Sequence, residues 1–202
     1  MEPPAEMLAI TISRPGGPAV LQPSAVRVPI PAPHEVLIRV AAAGVNAPDL
    51  AQRRGRYDPP PGASPILGLE VSGEIAEVGD LVTTFRRGDQ VVALTNGGGY
   101  AEYVLVPAGQ VLHLPRGWSL NAGAALPETL FTVEQTMVMR AGLAAGMDVL
   151  VHGAAGGIGG AAIQIARLSG ARPIAVVSDA AKAAYAQRLG ATDPIPDTDS
   201  RD

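Results

Sequence analysis

Asp148-Val149-Leu150-Val151-His152-Gly153-Ala154-Ala155-Gly156-Gly157-Ile158-Gly159-Gly160 is the stretch on which the reading of this chain turns. A strand-like apolar run, Asp148–His152, passes into glycines at Gly153, Gly156 and Gly159. A helical pattern opens at Ile158. Glycines at this spacing let a pyrophosphate approach the backbone, and the helix that follows offers unpaired N–H groups and a partial positive charge. The glycine pattern alone is weak. Set between a strand and a helix, it is the turn of a dinucleotide-binding βαβ unit. A tight strand–helix turn with no ligand is the alternative.

Downstream, Ile158, Ala161, Ala162, Ile165 and Leu168 recur at helical spacing. A helix over 158–169 with that apolar face is expected, ended by Gly170. Residues 173–177 show no polar alternation, as in a strand buried on both faces. Ala180–Leu189 reads as a second helix closed by Gly190. Such a βαβ unit is parallel and right-handed. Only two or three strands fit before residue 202, against about six in a complete doubly wound sheet. An incomplete parallel sheet is therefore expected, with an exposed apolar edge. Residues 193–202, rich in Asp and Pro, read as disordered.

The end of the second strand bears on cofactor choice. Asp179 lies about 20 residues beyond Gly159, where an acid binds ribose hydroxyls, which points to NAD. Lys182 suits a 2′-phosphate, which points to NADP. Ser178 and Asp179 equally suit a helix cap before Ala180, and Lys182 a solvated helix face.

Upstream the pattern is β-rich. Short strands are expected at 36–40, 71–78, Gln90–Leu94 and 101–106, the last two joined as a hairpin through the Gly-rich loop 95–100. This suggests a small barrel or sandwich. Residues 46–54 read as one short helix with Asn46 as N-cap and Pro48 in its first turn. The character changes after 115–117, and 121–140 reads as helices broken at Pro127. Two domains are expected, 1–120 and 121–202.

Composition excludes several classes. The net charge is −4 and aromatics make up 3%, so neither nucleic acid nor anionic lipid is an expected partner. There is no cysteine, hence no disulfide, thiolate catalyst or Cys-based zinc site. Residues 1–7 lack the pattern of a signal peptide, and a cytoplasmic location is expected. Residues 149–166 carry no charge and hold Gly153/Gly157 and Gly156/Gly160 at the spacing of a membrane dimer face. Their glycines, with His152 and Gln164, favour strand, turn and helix instead.

Several motifs stand in order: Pro15-Gly16-Gly17-Pro18, Ala43-Gly44-Val45-Asn46-Ala47-Pro48-Asp49-Leu50, Gly55-Arg56-Tyr57-Asp58-Pro59-Pro60-Pro61-Gly62, Pro65-Ile66-Leu67-Gly68-Leu69-Glu70, Gly97-Gly98-Gly99-Tyr100-Ala101-Glu102-Tyr103, Leu126-Pro127-Glu128-Thr129 and Val151-His152-Gly153. From about Met7 to Asp193 the chain resembles the zinc-free, zeta-crystallin-like quinone oxidoreductases of the medium-chain dehydrogenase/reductase superfamily. The resemblance implies a GroES-like barrel followed by a Rossmann domain, here incomplete. It implies hydride transfer from NADPH to a quinone or activated carbonyl held between the domains. It also implies a homo-oligomer, although the strand that forms the main dimer contact in the family is not represented in these residues.

By the same resemblance, Asn46 corresponds to an Asn near the nicotinamide, and Tyr57 to a Tyr lining the quinone cleft. Thr132 matches a Thr beside the nicotinamide ribose. Gly156, Gly157, Ile158 and Gly159 match the pyrophosphate turn, and Lys182 a Lys near the adenosine phosphate. Relatives usually carry Ser at Asp179. They also carry a Tyr near Asp197, where Ile195-Pro196-Asp197 stands here. Asn46 also reads as a helix cap, Tyr57 as loop packing and Glu70 as a structural hydrogen-bonding residue. Zinc-dependent relatives place His-Glu at Leu69-Glu70; leucine cannot ligate zinc, and His34, His113 and His152 match no metal position of the family. Two further readings stay open. One is a catalytically inactive chain serving as a binding or dimerising module. The other is an enoyl-thioester reductase with Tyr57 as proton donor.

Overall fold

The computed structural model describes residues 2–196. Its contacts divide the chain into two compact units, Met1–Glu128 and Thr129–Asp202.

In the first unit, β1 (Glu6–Ile12) and β2 (Leu21–Arg27) form an antiparallel ribbon. There follow β3 (Glu35–Ala43), α1 (Ala47–Arg53), β4 (Glu70–Val78), β5 (Gln90–Leu94), β6 (Tyr103–Pro107), β7 (Val111–His113) and the short α2 (Leu120–Gly123). The last five strands make one antiparallel sheet in the order β6-β3-β4-β5-β7. Irregularities at Leu37/Ile38 and Val40/Ala42 break the β3–β4 register and let the sheet curl. Alternate residues of the strands enclose a core of Val36, Ile38, Val71, Ile75, Val91 and Val106, all with no exposed surface. Each such side chain contributes roughly 1.5–3 kcal/mol of burial.

The hairpin expected across 95–100 does not form. β5 lies beside β4 and β7, while β6 pairs with β3 at the far edge of the sheet. The Gly-rich loop runs instead against residues 66–69. Gly98 N donates to Ile66 O (2.7 Å), Tyr100 N to Leu67 O (2.9 Å) and Thr95 N to Leu69 O (2.7 Å). The glycines permit this approach: a Cβ on Gly68, whose φ is +102°, would stand 2.7 Å from Gly99 Cα. Local turn chemistry is thus outweighed by pairing between segments 30 residues apart.

The unit boundary falls within α3 (Pro127–Val133), which runs on into a π-helical segment, Glu134–Arg140. The second unit continues with β8 (Asp148–His152), α4 (Gly157–Leu168), β9 (Arg172–Val177), α5 (Ala180–Leu189) and β10 (Thr192–Pro196). The three strands are parallel in the order β10-β9-β8, the beginning of a doubly wound sheet. Every residue of β9 after Arg172 is buried or nearly so, as its unbroken apolar run predicts. The charge-free stretch 149–166 is strand, turn and helix. No helix among the described residues is long and apolar enough to cross a membrane.

Two expectations are corrected here. α4 does not bury the face drawn through its largest side chains: Ile158 is 44% and Leu168 84% exposed. Ala161 and Ala162 of that face are buried, together with Gly159, Gly160, Ile163 and Ala166, because small residues let the helix close onto β8 and β9. The stretch from Asp193 to Pro196 is not disordered but belongs to β10. Its Ile195 and Pro196 pair with Val176 and Val177 after a register shift. Residues 197–202 lie outside the described residues.

Candidate functional site

The predicted site residues fall in two places, one in each unit.

In the second unit, β8 ends at His152 and the chain turns through Gly153, whose φ of +61° is left-handed. Gly156 is the N-cap of α4, and Gly156 O accepts the first intrahelical bond, from Gly160 N at 2.8 Å. The N–H groups of Gly157, Ile158 and Gly159 therefore have no carbonyl one turn earlier, leaving donors at the positive end of a twelve-residue helix. A Cβ on Gly159 would collide with Gly153 O and stand 2.7 Å from Ala154 Cα, so this glycine lets the helix seat on the turn. A Cβ on Gly157 would lie 3.4 Å from Thr129 Cγ2, which puts α3 beside the turn. Thr132 is one turn further along α3, and its carbonyl accepts from Thr136 Oγ1 at 2.7 Å. The surface over Gly153 is open, with nothing within 4 Å of a Cβ there. Small residues, free helical N–H groups and open space together fit a pyrophosphate.

Ser178, Asp179 and Lys182 converge after β9. Asp179 caps α5, its Oδ1 accepting from Lys182 N at 2.8 Å. Lys182 Nζ lies 2.6 Å from Ser178 Oγ and 3.1 Å from Asp179 Oδ2. The hydrogen bond from the Lys182 backbone, then that from its side chain, holds the Asp179 carboxyl below its usual range. The capping reading is realised, and a cation and a hydroxyl also gather at the strand end.

In the first unit, Asn46 is the N-cap of α1, and Pro48 lies in the helix's first turn. Its side-chain Nδ2 donates to Glu70 Oε1 at 2.8 Å. Glu70, 3% exposed, also accepts from Glu128 N through Oε2 at 3.0 Å. The expected hydrogen-bonding role of Glu70 is what the structure contains. Beside it lies Asp49, 1% exposed, which the motif reading passed over. Its Oδ1 accepts from Gly68 N (3.0 Å), and its Oδ2 from Asn46 N (2.8 Å) and the Tyr100 hydroxyl (2.9 Å). An acid three residues after an N-cap is half of a capping box, and that was its one local signal. Burial, then the Asp49 charge, then the hydrogen bond to Asp49 push the Tyr100 hydroxyl pKa up. Burial, then Glu70, then Asp49 raise that of Glu128.

Tyr57 is not part of this network. It is 40% exposed and lines a cavity of about 460 Å³ with Ile12, Gln52, Pro59, Pro65 and Ile66, a lining without Asn46. Leu69 offers no metal-ligating atom, and both Glu70 oxygens are engaged. Among the described residues no three His, Cys, Asp or Glu side chains come together as a metal site.

Residues 32–116 match the alcohol dehydrogenase GroES-like domain. The chain is 46% identical over 163 residues to the quinone oxidoreductase of Lama guanicoe, covering 80% of this chain and 49% of that protein. Among solved structures, the quinone oxidoreductase of Pseudomonas syringae pv. tomato superposes with a TM-score of 0.82 at 35% identity, covering 96% of this chain and 60% of that one. The CurK enoyl reductase superposes with a TM-score of 0.86 at 28% identity, with the same coverage. The chain spans about half the length of the curated relatives it matches.

Proposed function

We propose, from the chain's likeness to quinone oxidoreductases, that it serves NAD(P)H-dependent reduction of a quinone or activated carbonyl, without zinc. The observation that carries the reading is the Gly153–Gly159 turn at the N-terminus of α4, in a parallel sheet of order β10-β9-β8. The helical N–H groups of Gly157, Ile158 and Gly159 would hold the pyrophosphate, and Gly159 keeps the helix close enough to present them. The dinucleotide, when bound, supplies a hydride. Quinone, hydride and one proton make the hydroquinone, and water is an adequate proton source. The chain's task is then orientation more than acid–base chemistry. Asn46 and Tyr57 are the residues assigned to the substrate, and Thr132 to the cofactor's nicotinamide side. Zinc independence rests on Leu69 and on the absence of cysteine.

NADP is the favoured cofactor and NAD the alternative. Lys182 Nζ and Ser178 Oγ suit a 2′-phosphate, while the Asp179 carboxylate is already engaged by Lys182. A cytoplasmic, homo-oligomeric protein without nucleic-acid or membrane partners completes the proposal.

The test is NADPH-dependent reduction of an ortho- or para-quinone by the purified chain. Turnover is expected, and its absence overturns the reading. A second reading, enoyl-thioester reduction, is favoured by the likeness to the CurK enoyl reductase and by the half-exposed Tyr57. Tyr57→Phe would abolish enoyl reduction if Tyr57 is the proton donor. Unchanged turnover rejects that role.

A further inference from the structure

Asn46 is held at its side chain by a carboxylate, Glu70 Oε1, at 2.8 Å. A carboxylate only accepts, so the amide nitrogen must face it. One N–H is thereby fixed. The second N–H on the same nitrogen has no protein acceptor among the described residues, and Asn46 is only partly buried. Glu70 is in turn immobilised. It is 3% exposed, and its other oxygen accepts from Glu128 N at the first turn of α3. Gly44 is part of the same device. A Cβ there would collide with Glu70 Oε1 and stand 2.7 Å from Glu70 Cγ, although the φ at Gly44 is one that any residue adopts. Space for the carboxylate, and not backbone freedom, is what requires glycine at this position.

We propose that Glu70, seated in the space left by Gly44, is a positioning residue that turns Asn46 so that its remaining amide N–H faces the substrate carbonyl oxygen. That oxygen gains negative charge as hydride arrives, and a fixed donor is worth more there than a mobile one. The inference rests on the reading of Asn46 as a substrate-facing residue.

The experiment compares Asn46→Ala, Glu70→Ala, Glu70→Gln and Gly44→Ala, alone and as doubles with Asn46→Ala, in steady-state quinone reduction by the full chain. Asn46→Ala is expected to lower kcat by up to about a hundredfold while KM for the nicotinamide cofactor stays unchanged. Gly44→Ala and Glu70→Ala are expected to reproduce most of that loss and to add nothing to it in the doubles. Glu70→Gln, which keeps one acceptor oxygen, should recover part of the activity. A purely structural role predicts additive losses with both kinetic constants altered, which would overturn the proposal. So would wild-type kcat in Gly44→Ala and Glu70→Ala, or in Asn46→Ala itself.

A second readout needs no turnover. In ¹⁵N spectra, the two Asn46 side-chain amide protons should be widely separated in the wild type and collapse toward a solvated amide in Glu70→Ala. If the chain shows no quinone turnover, the functional reading fails while this spectrum still decides the contact. An Asn46 amide unchanged in Glu70→Ala rejects the hold by Glu70.

Discussion

Gly153 and Gly159, in the turn before α4, answer to different physical demands, and substitution should separate them. Gly153 needs its left-handed φ of +61° but has open space around it. Gly153→Ala is therefore expected to cost about 1–2 kcal/mol of backbone strain and to leave the turn's shape intact. Gly159 has ordinary dihedrals and no room, since a Cβ meets Gly153 O and Ala154. Gly159→Ala must push α4 off the turn, at about 1–3 kcal/mol, and should also weaken NADPH binding more than tenfold in calorimetric titration. Equal binding losses in the two variants would contradict this division. Asp49 makes the stronger case for stability. Its carboxylate serves the donors of Asn46, Gly68 and Tyr100, and Asp49→Ala orphans all three. At roughly 1–3 kcal/mol per unsatisfied buried group, chemical denaturation should register a loss of several kcal/mol, and a loss below 1 kcal/mol would refute the assignment. The close approach at the glycine turn was legible in the sequence, but the Asp49 network was not. The partners of Asp49 lie up to 51 residues away, and a lone acid in a helix's first turn looks like ordinary capping.

At the scale of elements, legibility depended on whether neighbours in sequence are neighbours in space. β8, β5 and α5 begin and end where the local pattern places them, because strand, turn and cap are all specified within a few residues. The hairpin at 95–100 failed because β6 takes its partner from β3, more than 60 residues earlier. The buried face of α4 matches the apolar stripe at Ala161 and Ala162 but not at Ile158 and Leu168, because closeness of approach, and hence alanine and glycine, governs that contact. β1 and β2 carry no comparable local signal: β2 holds Pro23, and beyond its pairing with β2, β1 forms an isolated bridge at Ala101, some 90 residues on. Capping of α5 supplies a test with a defined pH sign. The Asp179 carboxyl is held below its usual value of 3.8 by Lys182, so its contribution is complete above that value and is lost as pH falls through the lowered one. Asp179→Ala should lower the thermal midpoint by about a few degrees at pH 7, with the gap closing as the pH falls through the lowered value. A gap independent of pH would show that the charge is irrelevant to the cap.

For the molecule as a whole, the sheet of the second unit sets the remaining question. β8 has a strand neighbour on one side only, and it is the edge at which the described order stops. Its side chains alternate. Val149 and Val151 belong to the core that α4 and α5 cover, while Leu150, 53% exposed, points to the other face, and Ile195 in β10 is 45% exposed. An edge strand with an apolar outward residue invites pairing, and Asp148 at its start is already tied to Arg172 at 2.7 Å, so its charge guards the edge only weakly. Self-association through this edge is therefore expected of the purified chain. Sedimentation velocity across a concentration series should show it, and Leu150→Lys should shift the distribution toward monomer without changing the far-UV circular dichroism. Titration with NADPH separates this behaviour from loss of function. Binding undiminished in Leu150→Lys would show that the turn at Gly153–Gly159 is organised by α4 and β9 alone. Binding that disappears with the associated state would mean that a second copy completes the pocket, and would favour an assembling module over a self-sufficient reductase.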